Sequence, residues 1–330
     1  MSMGCWPKRR SARIAVLLAV VLFGPYFFSR LASPWRCVRV RASADHRLAP
    51  STGRDVDSLR VVCWNVAHGR GLAESNRRGG SREERRERLD HIAELLRRLD
   101  ADVVVLNEVD FDASWSFGVN QAEYLAREAG YLHWAEQRNL DFRVLFWKWR
   151  FGNAVLSRRP IADAAVVSFP GFSRWETILA GKKRGLVCTI DAPGGPLRVL
   201  AVHACHRSEA VRVASAERMI DLAGDGGPAL VMAGDFNSTP PGFPGSNRDA
   251  QGGNAMERLD DSGVVERRPK RPPGPDGMTF HSARPECVID WILIPPGWRF
   301  DDYRVVLSEL SDHRPVVADI RPGETESAEP

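Results

Sequence analysis

The chain has 330 residues, of which 43% are hydrophobic, so one large domain or two small ones can bury a sizeable core. The formal net charge is +4, but residues 1–41 hold eight of the 46 basic residues and none of the 42 acidic ones. Removing those eight leaves 38 basic against 42 acidic residues, without the basic excess that marks many duplex-binding domains. The six cysteines show neither CxxC pairs nor zinc-site spacing, so neither a zinc site nor a disulfide framework is indicated.

The first 58 residues divide into three segments. Residues 1–13 are basic, and residues 14–33 include an uncharged apolar run at 14–28 that is typical of a membrane anchor or a signal sequence. The run is short for a membrane span, which needs roughly 17–25 residues. The small-residue site at 42–44 lies far from the run, which favours an uncleaved anchor over a cleaved signal. We therefore expect a membrane-anchored, exported body, or a secreted one after cleavage, with residues 34–58 as a linker.

Residues 59–321 predict a single domain, followed by a polar tail at 322–330. Ser81 and Glu84 form a capping-box pattern at the start of a helix over 81–99, and further helices are predicted at 121–129 and 209–222. Strands outnumber helices and alternate with them irregularly, which disfavours a doubly wound parallel sheet. The predicted strands are 59–64, 102–107, 153–157, 164–168, 185–191, 197–203, 229–233, 288–294, 302–307 and 316–320.

Polar side chains end or flank six of these predicted strands. Active-site groups often collect at strand ends, because a rigid sheet positions them there. A lone residue of this kind is usually a turn or surface residue, but a series along the chain is hard to explain by packing alone. The members of the series are Asn65, Glu108, His203, Asp235 with Asn237, Asp290, and Asp312 with His313.

The most informative of these strand ends is the GDFN stretch that holds Asp235 and Asn237. The two side chains point the same way if the extended geometry continues. A carboxylate can take a proton from water or bind a metal ion, and a carboxamide can donate a hydrogen bond to a developing oxyanion. Asp290 differs from the others because it lies inside an apolar strand, where an unpaired charge is costly.

The ordered motifs WN, NE, VH, GDFN, IDW and SDH resemble those of the endonuclease/exonuclease/phosphatase superfamily. The resemblance extends over residues 59–320. It implies an α/β (α+β) fold, a four-layer sandwich of two packed mixed β-sheets flanked by helices. It also implies Mg²⁺-dependent hydrolysis of a phosphoester, with Mn²⁺ as a possible substitute ion.

The resemblance also implies a metal site. Glu108 would be the principal ligand of the ion. Asn65 would supply an amide oxygen or position the phosphate. Asp312 would complete the ion's shell through water or support a second ion. One departure is Ala67, which stands where some nucleases of the superfamily have an acidic metal-binding residue.

The remaining residues receive catalytic roles from the same resemblance. Asp235 is the expected general base, although a histidine remains open for that role. Asn237 would donate a hydrogen bond to a nonbridging phosphate oxygen, and His203 and His313 would contact the phosphate. Asp290 is expected to orient His313 and keep it protonated, since a neighbouring carboxylate raises the pKa of an imidazole.

The sequence therefore predicts a hydrolase of phosphodiesters or phosphomonoesters, and we expect it to be a monomer. The amino-terminal segment and the acidic body favour a lipid headgroup or another small phosphoester as the substrate. A nuclease acting on DNA or RNA is the alternative within the enzyme class. A catalytically silent, membrane-tethered binding module is the alternative of another class. In addition, Trp147 and Trp149 are expected on one strand face, beside Lys148.

Overall fold

The computed structural model describes residues 7–43, 58–144, 146–179, 181–192 and 194–323. The helices, in chain order, are α1 (Pro7–Arg36), α2 (Arg82–Leu99), α3 (Gln121–Ala129), α4 (Arg174–Leu179), α5 (Glu209–Ala223) and α6 (Ala255–Asp261). The strands are β1 (Val38–Ala42), β2 (Leu59–Asn65), β3 (Val103–Asp110), β4 (His133–Val144), β5 (Trp147–Ser157), β6 (Ile161–Ser168), β7 (Arg184–Ala192), β8 (Gly195–His203), β9 (Leu230–Asp235), β10 (Glu266–Arg267), β11 (Asp290–Ile294), β12 (Trp298–Val305) and β13 (Val316–Pro322).

The strands form two mixed sheets. The first sheet has seven described strands in the order β1-β4-β5-β3-β2-β13-β12, and the second has six in the order β10-β11-β9-β8-β7-β6. Strands β2 and β3 run parallel in the first sheet, and β8 and β9 run parallel in the second; the other pairs are antiparallel. The prediction of two mixed sheets rather than a doubly wound parallel sheet is confirmed.

Alternation along β2 explains how the first sheet is covered on both faces. Val62 and Trp64 point outward into a core shared with Ile92 of α2, whereas Val61 and Cys63 point inward to the second sheet. Successive strand residues face opposite sides, so a strand buried on both faces needs an almost continuous apolar run. The sequence LRVVCWN meets that need.

Helices α5 and α6 cover the outer face of the second sheet. Met219 of α5 and Leu259 of α6 pack in one core with Met232 of β9 and Trp291 of β11. The layers are therefore α2 and α3, the first sheet, the second sheet, and α5 with α6. This is the four-layer sandwich that the sequence predicts.

The start of α2 also agrees with the sequence. Ser81 Oγ accepts a hydrogen bond from the backbone N–H of Glu84 at 3.2 Å, and Glu84 Oε2 accepts one from the N–H of Ser81 at 2.7 Å. This reciprocal pair satisfies two backbone donors that have no partner inside the helix. The helix begins where its capping box predicts.

The first part of the predicted linker at 34–58 is an edge strand instead. Strand β1 pairs antiparallel with β4, with Val40 opposite Ala135, and thereby extends the first sheet by one strand. The alternating segment VRVRA is compatible with a half-buried strand, but its pairing partner lies about ninety positions later in the chain. The rest of that predicted linker, 44–57, and most of the predicted tail, 324–330, lie outside the described residues.

The predicted membrane segment at 14–33 lies within α1. Ile14, Phe23 and Phe28 are among its exposed apolar side chains. Within the described ranges, no helix combines the length and the apolar character needed to cross a membrane. Attachment to a membrane therefore stays a prediction from the sequence.

Strand β4 is the largest element that the sequence pattern does not predict. Its segment HWAEQRNLDFRV contains too many charged residues for a strand that is mostly buried. The structure pairs these charges with one another, since Arg138 lies 2.8 Å from Asp141 and 3.6 Å from Glu136. Charges that are costly alone are tolerated when paired and hydrogen-bonded. Arg150 of β5 also lies 2.8 Å from Asp141, so the hairpin completes the pairing, and the composition of β4 alone points away from a strand.

Gly234 yields a test of how closely the neighbouring strand β8 and Asn107 of the first sheet approach the backbone of β9. A Cβ atom at Gly234 would lie 2.2 Å from the Val202 carbonyl oxygen and 2.7 Å from Asn107 Oδ1, at a φ of +130°. We expect Gly234→Ala to lower the free energy of unfolding, measured with urea, by more than the roughly 1–2 kcal/mol of a left-handed L-residue. Gly226→Ala is the control, because Gly226 also has a positive φ but open space around it. Equal losses in the two variants would contradict this close approach.

Candidate active site

The eight predicted site residues lie together at one edge of the sandwich. Parallel strands β2, β3, β8 and β9 end there, and antiparallel strands β11 and β13 begin there. A cleft of about 420 Å³ opens at this edge. Six of the eight line it, namely Glu108, His203, Asp235, Asn237, Asp312 and His313. Asn65 and Asp290 lie behind the cleft wall and hydrogen-bond to Asp235 and His313, respectively.

A bulge in β3 orients Glu108. Between Leu106 and Val109 the register with β5 shifts, so that Asn107 and Glu108 together oppose Asn153. Glu108 has a φ of 52°, a left-handed conformation that is uncommon for residues other than glycine. Bulges often redirect side chains beside active sites, and such strain persists only where surrounding structure holds it.

Asp235 is held by three hydrogen bonds. Its backbone N–H donates to Asn107 Oδ1 at 2.9 Å, its Oδ1 accepts from the Asn237 N–H at 2.9 Å, and its Oδ2 accepts from Asn65 Nδ2 at 3.1 Å. Asn65 Oδ1 in turn accepts from the N–H of Ala67 at 3.0 Å. The amide of Asn65 therefore orients Asp235 in this structure, which is distinct from its predicted role as a metal ligand.

A buried chain of amides supports Asp235 from below. Asn107 Nδ2 donates to Asn153 Oδ1 at 2.9 Å, and Asn153 Nδ2 donates to Gln137 Oε1 at 2.9 Å and to the Arg184 carbonyl oxygen at 2.9 Å. Asn107, Asn153 and Gln137 are completely buried. Leaving one of these groups without its partner would cost about 1–3 kcal/mol. The chain connects three strands of the first sheet to β7 and β9 of the second.

Asp290 and His313 form the predicted carboxylate–imidazole pair. His313 Nδ1 lies 2.9 Å from Asp290 Oδ2, and both side chains are buried. The register between β9 and β11 places Asp290 opposite Asp235. The other imidazole nitrogen, Nε2, therefore faces Asp235 Oδ2 at 3.9 Å. The buried charge of Asp290 thus has the partner that its position in an apolar strand requires.

The environments of Asp235 and His313 displace their pKa values in directions that suit proton transfer. Burial raises the pKa of Asp235 to about 7, although the nearby His313 imidazolium opposes this rise. Burial alone would lower the pKa of His313, but the Asp290 and Asp235 carboxylates outweigh it and raise that pKa to about 10. Near neutral pH the site therefore combines a carboxylate able to take a proton with a charged imidazole.

The second cleft histidine, His203, has the opposite character. Burial, and next the positive charge of Lys183, hold the pKa of His203 well below its usual range. Its Nε2 atom lies 3.8 Å from Asp235 Oδ2 and 3.9 Å from Glu108 Oε1. A neutral imidazole in this position can donate one hydrogen bond to a ligand without adding charge to the site.

Sequence reasoning missed two residues of the cleft, His68 and Arg70. The short 3₁₀ turn Ala67–Gly69 directly after β2 carries His68 to within 3.3 Å of Glu108 Oε2. Asp110 Oδ1, 2.7 Å from His68 Nδ1, helps raise the pKa of His68 against the effect of burial. The available signal was their position just after the strand that ends in Asn65. Left-handed φ angles at Ala67 and His68 direct the turn into the cleft, and no local sequence pattern predicts these angles.

The position of Arg70 shows that this site can hold a positively charged group. Its guanidinium lies between two of the predicted metal ligands, with Nη1 3.2 Å from Glu108 Oε2 and Nη2 2.7 Å from Asp312 Oδ2. The positive groups around Glu108 lower its pKa well below the usual range, despite burial. Two carboxylates that converge on one cationic group form a donor set of the kind that Mg²⁺ prefers. Asp235, Asp290 and His313 form a second possible set, with ligand atoms within 4.8 Å of one another.

Comparison with known proteins agrees with this geometry. The sequence profile of the Endonuclease/Exonuclease/phosphatase family matches residues 62–313, which is more than half of the chain. The chain belongs to this family. The family comprises hydrolases of the phosphoesterase and nuclease type, which are generally dependent on divalent metal ions. No curated protein is significantly similar to the chain.

Solved structures of the family share the fold at low sequence identity. An endonuclease/exonuclease/phosphatase from Beutenbergia cavernae DSM 12333 is 23% identical, with 82% of this chain and 73% of that chain covered and a TM-score of 0.58. One from Bacteroides vulgatus is 19% identical, with 80% and 99% covered and a TM-score of 0.59. ANGEL2, a 2′,3′-cyclic phosphatase, is 19% identical, with 80% and 95% covered and a TM-score of 0.55. At these identities the similarity establishes the fold and leaves the substrate open.

The Asp290–His313 pair leads to a prediction about pH dependence. If the base is Asp235, activity rises with pH through its pKa of about 7; if His313 must be charged, activity falls as pH rises through about 10. Asp290→Asn removes the main cause of the raised His313 pKa, so we expect the alkaline fall to begin at lower pH. We also expect a loss of roughly 10²-fold in rate at neutral pH.

The measurement is kcat/KM from pH 5 to 11 for the wild type and Asp290→Asn, with Asp319→Asn as the control. Asp319 is paired with Arg60 at 2.6 Å and lies outside the cleft. An alkaline limb that stays in place in Asp290→Asn would show that His313 does not carry the essential proton.

Arg70 leads to a prediction about metal affinity. A divalent ion bound by Glu108 and Asp312 must compete with the guanidinium, so we expect Arg70→Leu to bind Mn²⁺ roughly 10-fold more tightly, a modest electrostatic effect. Calorimetric titration of the full chain measures this without relying on activity. Arg248→Leu is the control, since Arg248 pairs with Glu257 at 2.6 Å on the surface. Weaker binding by Arg70→Leu would mean that Arg70 supports the ion rather than competing with it.

Proposed function

We propose that this protein is a divalent-cation-dependent phosphoesterase whose general base is Asp235. The observation that carries the proposal is the arrangement around this carboxylate. Asp235 is buried, has a pKa raised to about 7, and faces one neutral and one charged histidine at 3.8 and 3.9 Å. At these distances, a water molecule or a phosphate oxygen in the cleft can lie beside Asp235 within hydrogen-bond reach of either histidine.

The chain's own residues account for the handling of protons and charge. Asp235 Oδ2 would accept the proton of an attacking water, because an ideal base has a pKa near the working pH. The charged His313 and the Asn237 amide would stabilise negative charge on the phosphate oxygens as it develops. Asn237 Nδ2 already makes a hydrogen bond of 3.3 Å to the Ala204 carbonyl oxygen, which fixes its direction.

Glu108 and Asp312 would hold the divalent ion, and Mg²⁺ fits their oxygen atoms best. A bound divalent ion supplies charge stabilisation for the phosphoryl group and its leaving oxygen. Arg70 and His68, which lie against Glu108, would keep this carboxylate ionised at every pH relevant to the reaction.

The substrate that we favour is a lipid headgroup or another small phosphoester. The cleft of about 420 Å³ suits a group of that size, and Lys182 and Lys183 at its border supply positive charge. The apolar segment of α1 supports action beside a membrane. In this proposal the body of the protein is exported and monomeric. Cleavage of a nucleic acid is the second candidate, but the 38 basic and 42 acidic residues after position 41 provide little general attraction for a polyanion.

The decisive experiment is a metal-dependence assay on the full chain. We expect hydrolysis of bis-p-nitrophenyl phosphate with Mg²⁺ or Mn²⁺ and none with EDTA. Glu108→Gln should lower the rate roughly 10³-fold, because the ion supplies several kcal/mol of stabilisation in the transition state. Glu257→Gln, a surface carboxylate paired with Arg248, is the control.

Three outcomes would change the assignment. Full activity in EDTA would exclude the metal-dependent mechanism. Faster cleavage of plasmid DNA or RNA than of small phosphoesters and phospholipids would favour the nuclease. Tight phosphoester binding without turnover of any of these substrates would favour a catalytically silent binding module.

A further inference from the structure

Six exposed aromatic side chains lie on segments that adjoin the cleft. Among the described residues after position 58, they are the only large aromatic side chains with more than a third of their surface exposed. Soluble proteins rarely expose several such residues on one surface without a binding function. We call this set the aromatic rim; its first side is the group Phe117, Phe146, Trp147 and Trp149, and its second side is the pair Phe172 and Trp175.

Stacked rings connect the first side of the rim to the candidate active site. His68 lies 5.3 Å from Phe151 and 6.2 Å from Trp115, measured between ring centroids. Trp115 stacks on Trp149 at 6.4 Å, and its Nε1 donates a hydrogen bond to Asp110 at 2.7 Å. Asp110 is the residue that also pairs with His68. The rim is therefore continuous with the cleft wall.

A large groove lies between these rings. It measures about 1010 Å³, and its apolar lining comes from Trp115, Phe117, Phe142, Trp147 and Trp149. The tip of the β4–β5 hairpin continues beyond it, where Phe146 is 74% exposed and contacts Trp147 at 5.6 Å. The groove and hairpin tip thus form one apolar surface that begins beside the catalytic groups.

The second side of the rim belongs to the segment around α4. Glu176, Lys182 and Lys183 of this segment line the cleft, while Trp175 is 75% exposed. Phe172 lies under the Arg207 guanidinium, 5.9 Å from the ring centroid. Apolar rings flanked by basic side chains are typical of surfaces that meet anionic lipid headgroups.

Helix α1 leads directly into β1, which pairs with the strand that ends at the hairpin tip. Strand β1 runs antiparallel to β4 with Val38 opposite Gln137, so the chain before Val38 lies beside the later part of β4, which leads to that tip. Helix α1 contacts β4, and the backbone N–H of Arg138 donates a hydrogen bond of 2.8 Å to the carbonyl oxygen of Cys37, the residue just after the helix. Farther along α1, Val16, Leu17 and Phe23 are each more than half exposed. Helix α1, which carries these apolar side chains, is thus joined through β1 to the strand that leads to the hairpin tip.

We propose that the aromatic rim rests on a lipid bilayer and that the cleft takes its phosphoester from the headgroups of that bilayer. The second part of this statement rests on the proposed function. Tryptophan and phenylalanine rings partition into the headgroup region of a membrane. A single-stranded nucleic acid could stack on the same rings, but it also needs a basic track for its backbone, and the domain's charge balance favours the bilayer.

Tryptophan quenching tests whether the rim enters the bilayer. The full chain is mixed with vesicles of phosphatidylcholine and phosphatidylserine whose acyl chains are brominated. We expect quenching in the wild type and a clearly smaller quenched fraction in Trp147→Phe/Trp175→Phe, which keeps both positions aromatic. Trp298→Phe, on β12 outside the rim, is the control and should match the wild type. The difference between variants reports only the replaced rings, so insertion of α1 alone cannot produce it.

Turnover tests whether the rim delivers the substrate. Phe146→Ser/Trp175→Ser should lower headgroup release from vesicles by on the order of 10-fold or more relative to hydrolysis of a soluble ester, because buried aromatic area contributes directly to membrane binding. Both residues are about three-quarters exposed, so the fold should tolerate the change. Val40→Ser removes an exposed apolar side chain from β1 and should leave that ratio unchanged.

The outcomes separate the rim from the proposed function. Equal quenching in the wild type and Trp147→Phe/Trp175→Phe would overturn membrane contact. If Trp147→Phe/Trp175→Phe loses the quenching that oligothymidylate causes in the wild type but keeps the quenching that vesicles cause, the rim would be assigned to a single-stranded nucleic acid. A normal rim effect on quenching without hydrolysis of any ester would refute the proposed function and the headgroup as substrate, while membrane contact would stand.

Discussion

One hydrogen bond between the two sheets fixes the geometry of the whole site. Asn107 Oδ1 accepts the backbone N–H of Asp235 at 2.9 Å, so the first sheet holds the proposed base of the second. Gly234 has no side chain, and this allows the amide to reach the backbone there. Asn107 and Glu108 are neighbours in the same bulge. The base and the principal carboxylate of the metal site therefore keep a constant separation, because they belong to one rigid connection.

Different neighbouring groups give Asp290, Glu108 and Asp235 different properties. Asp290 has a direct imidazole partner at 2.9 Å, and Glu108 is surrounded by His68, His203 and Arg70. Asp235 has no cationic atom closer than 3.8 Å among the ion pairs of the described cleft. The pKa of Glu108 is consequently lowered, while the pKa of Asp235 is raised. Pairs of groups whose environments separate their pKa values are the usual basis for acid and base roles at neutral pH.

The polar interior of the first sheet serves the site as well as the fold. The amide chain from Asn107 through Asn153 to Gln137 reaches β4, whose charged residues are neutralised by one another. A fully satisfied buried network is rigid and specifies one arrangement, whereas a partly satisfied one is costly. The strands that carry this network also form the hairpin that bears Phe146 and Trp147.

The sequence by itself determined the mixed-sheet architecture, most of the strands, the main helices and the strand ends that carry the polar series. Apolar runs such as LRVVCWN identify buried strands locally, and the polar residue that follows each run must lie at the end of its strand. The Asp290–His313 pair also followed from sequence, because a charge inside an apolar strand needs a partner. Only the tertiary structure placed β1 at the sheet edge, admitted the charges of β4, and brought His68 and Arg70 against Glu108. These features depend on pairings between distant segments and on left-handed turn angles, which local patterns do not encode.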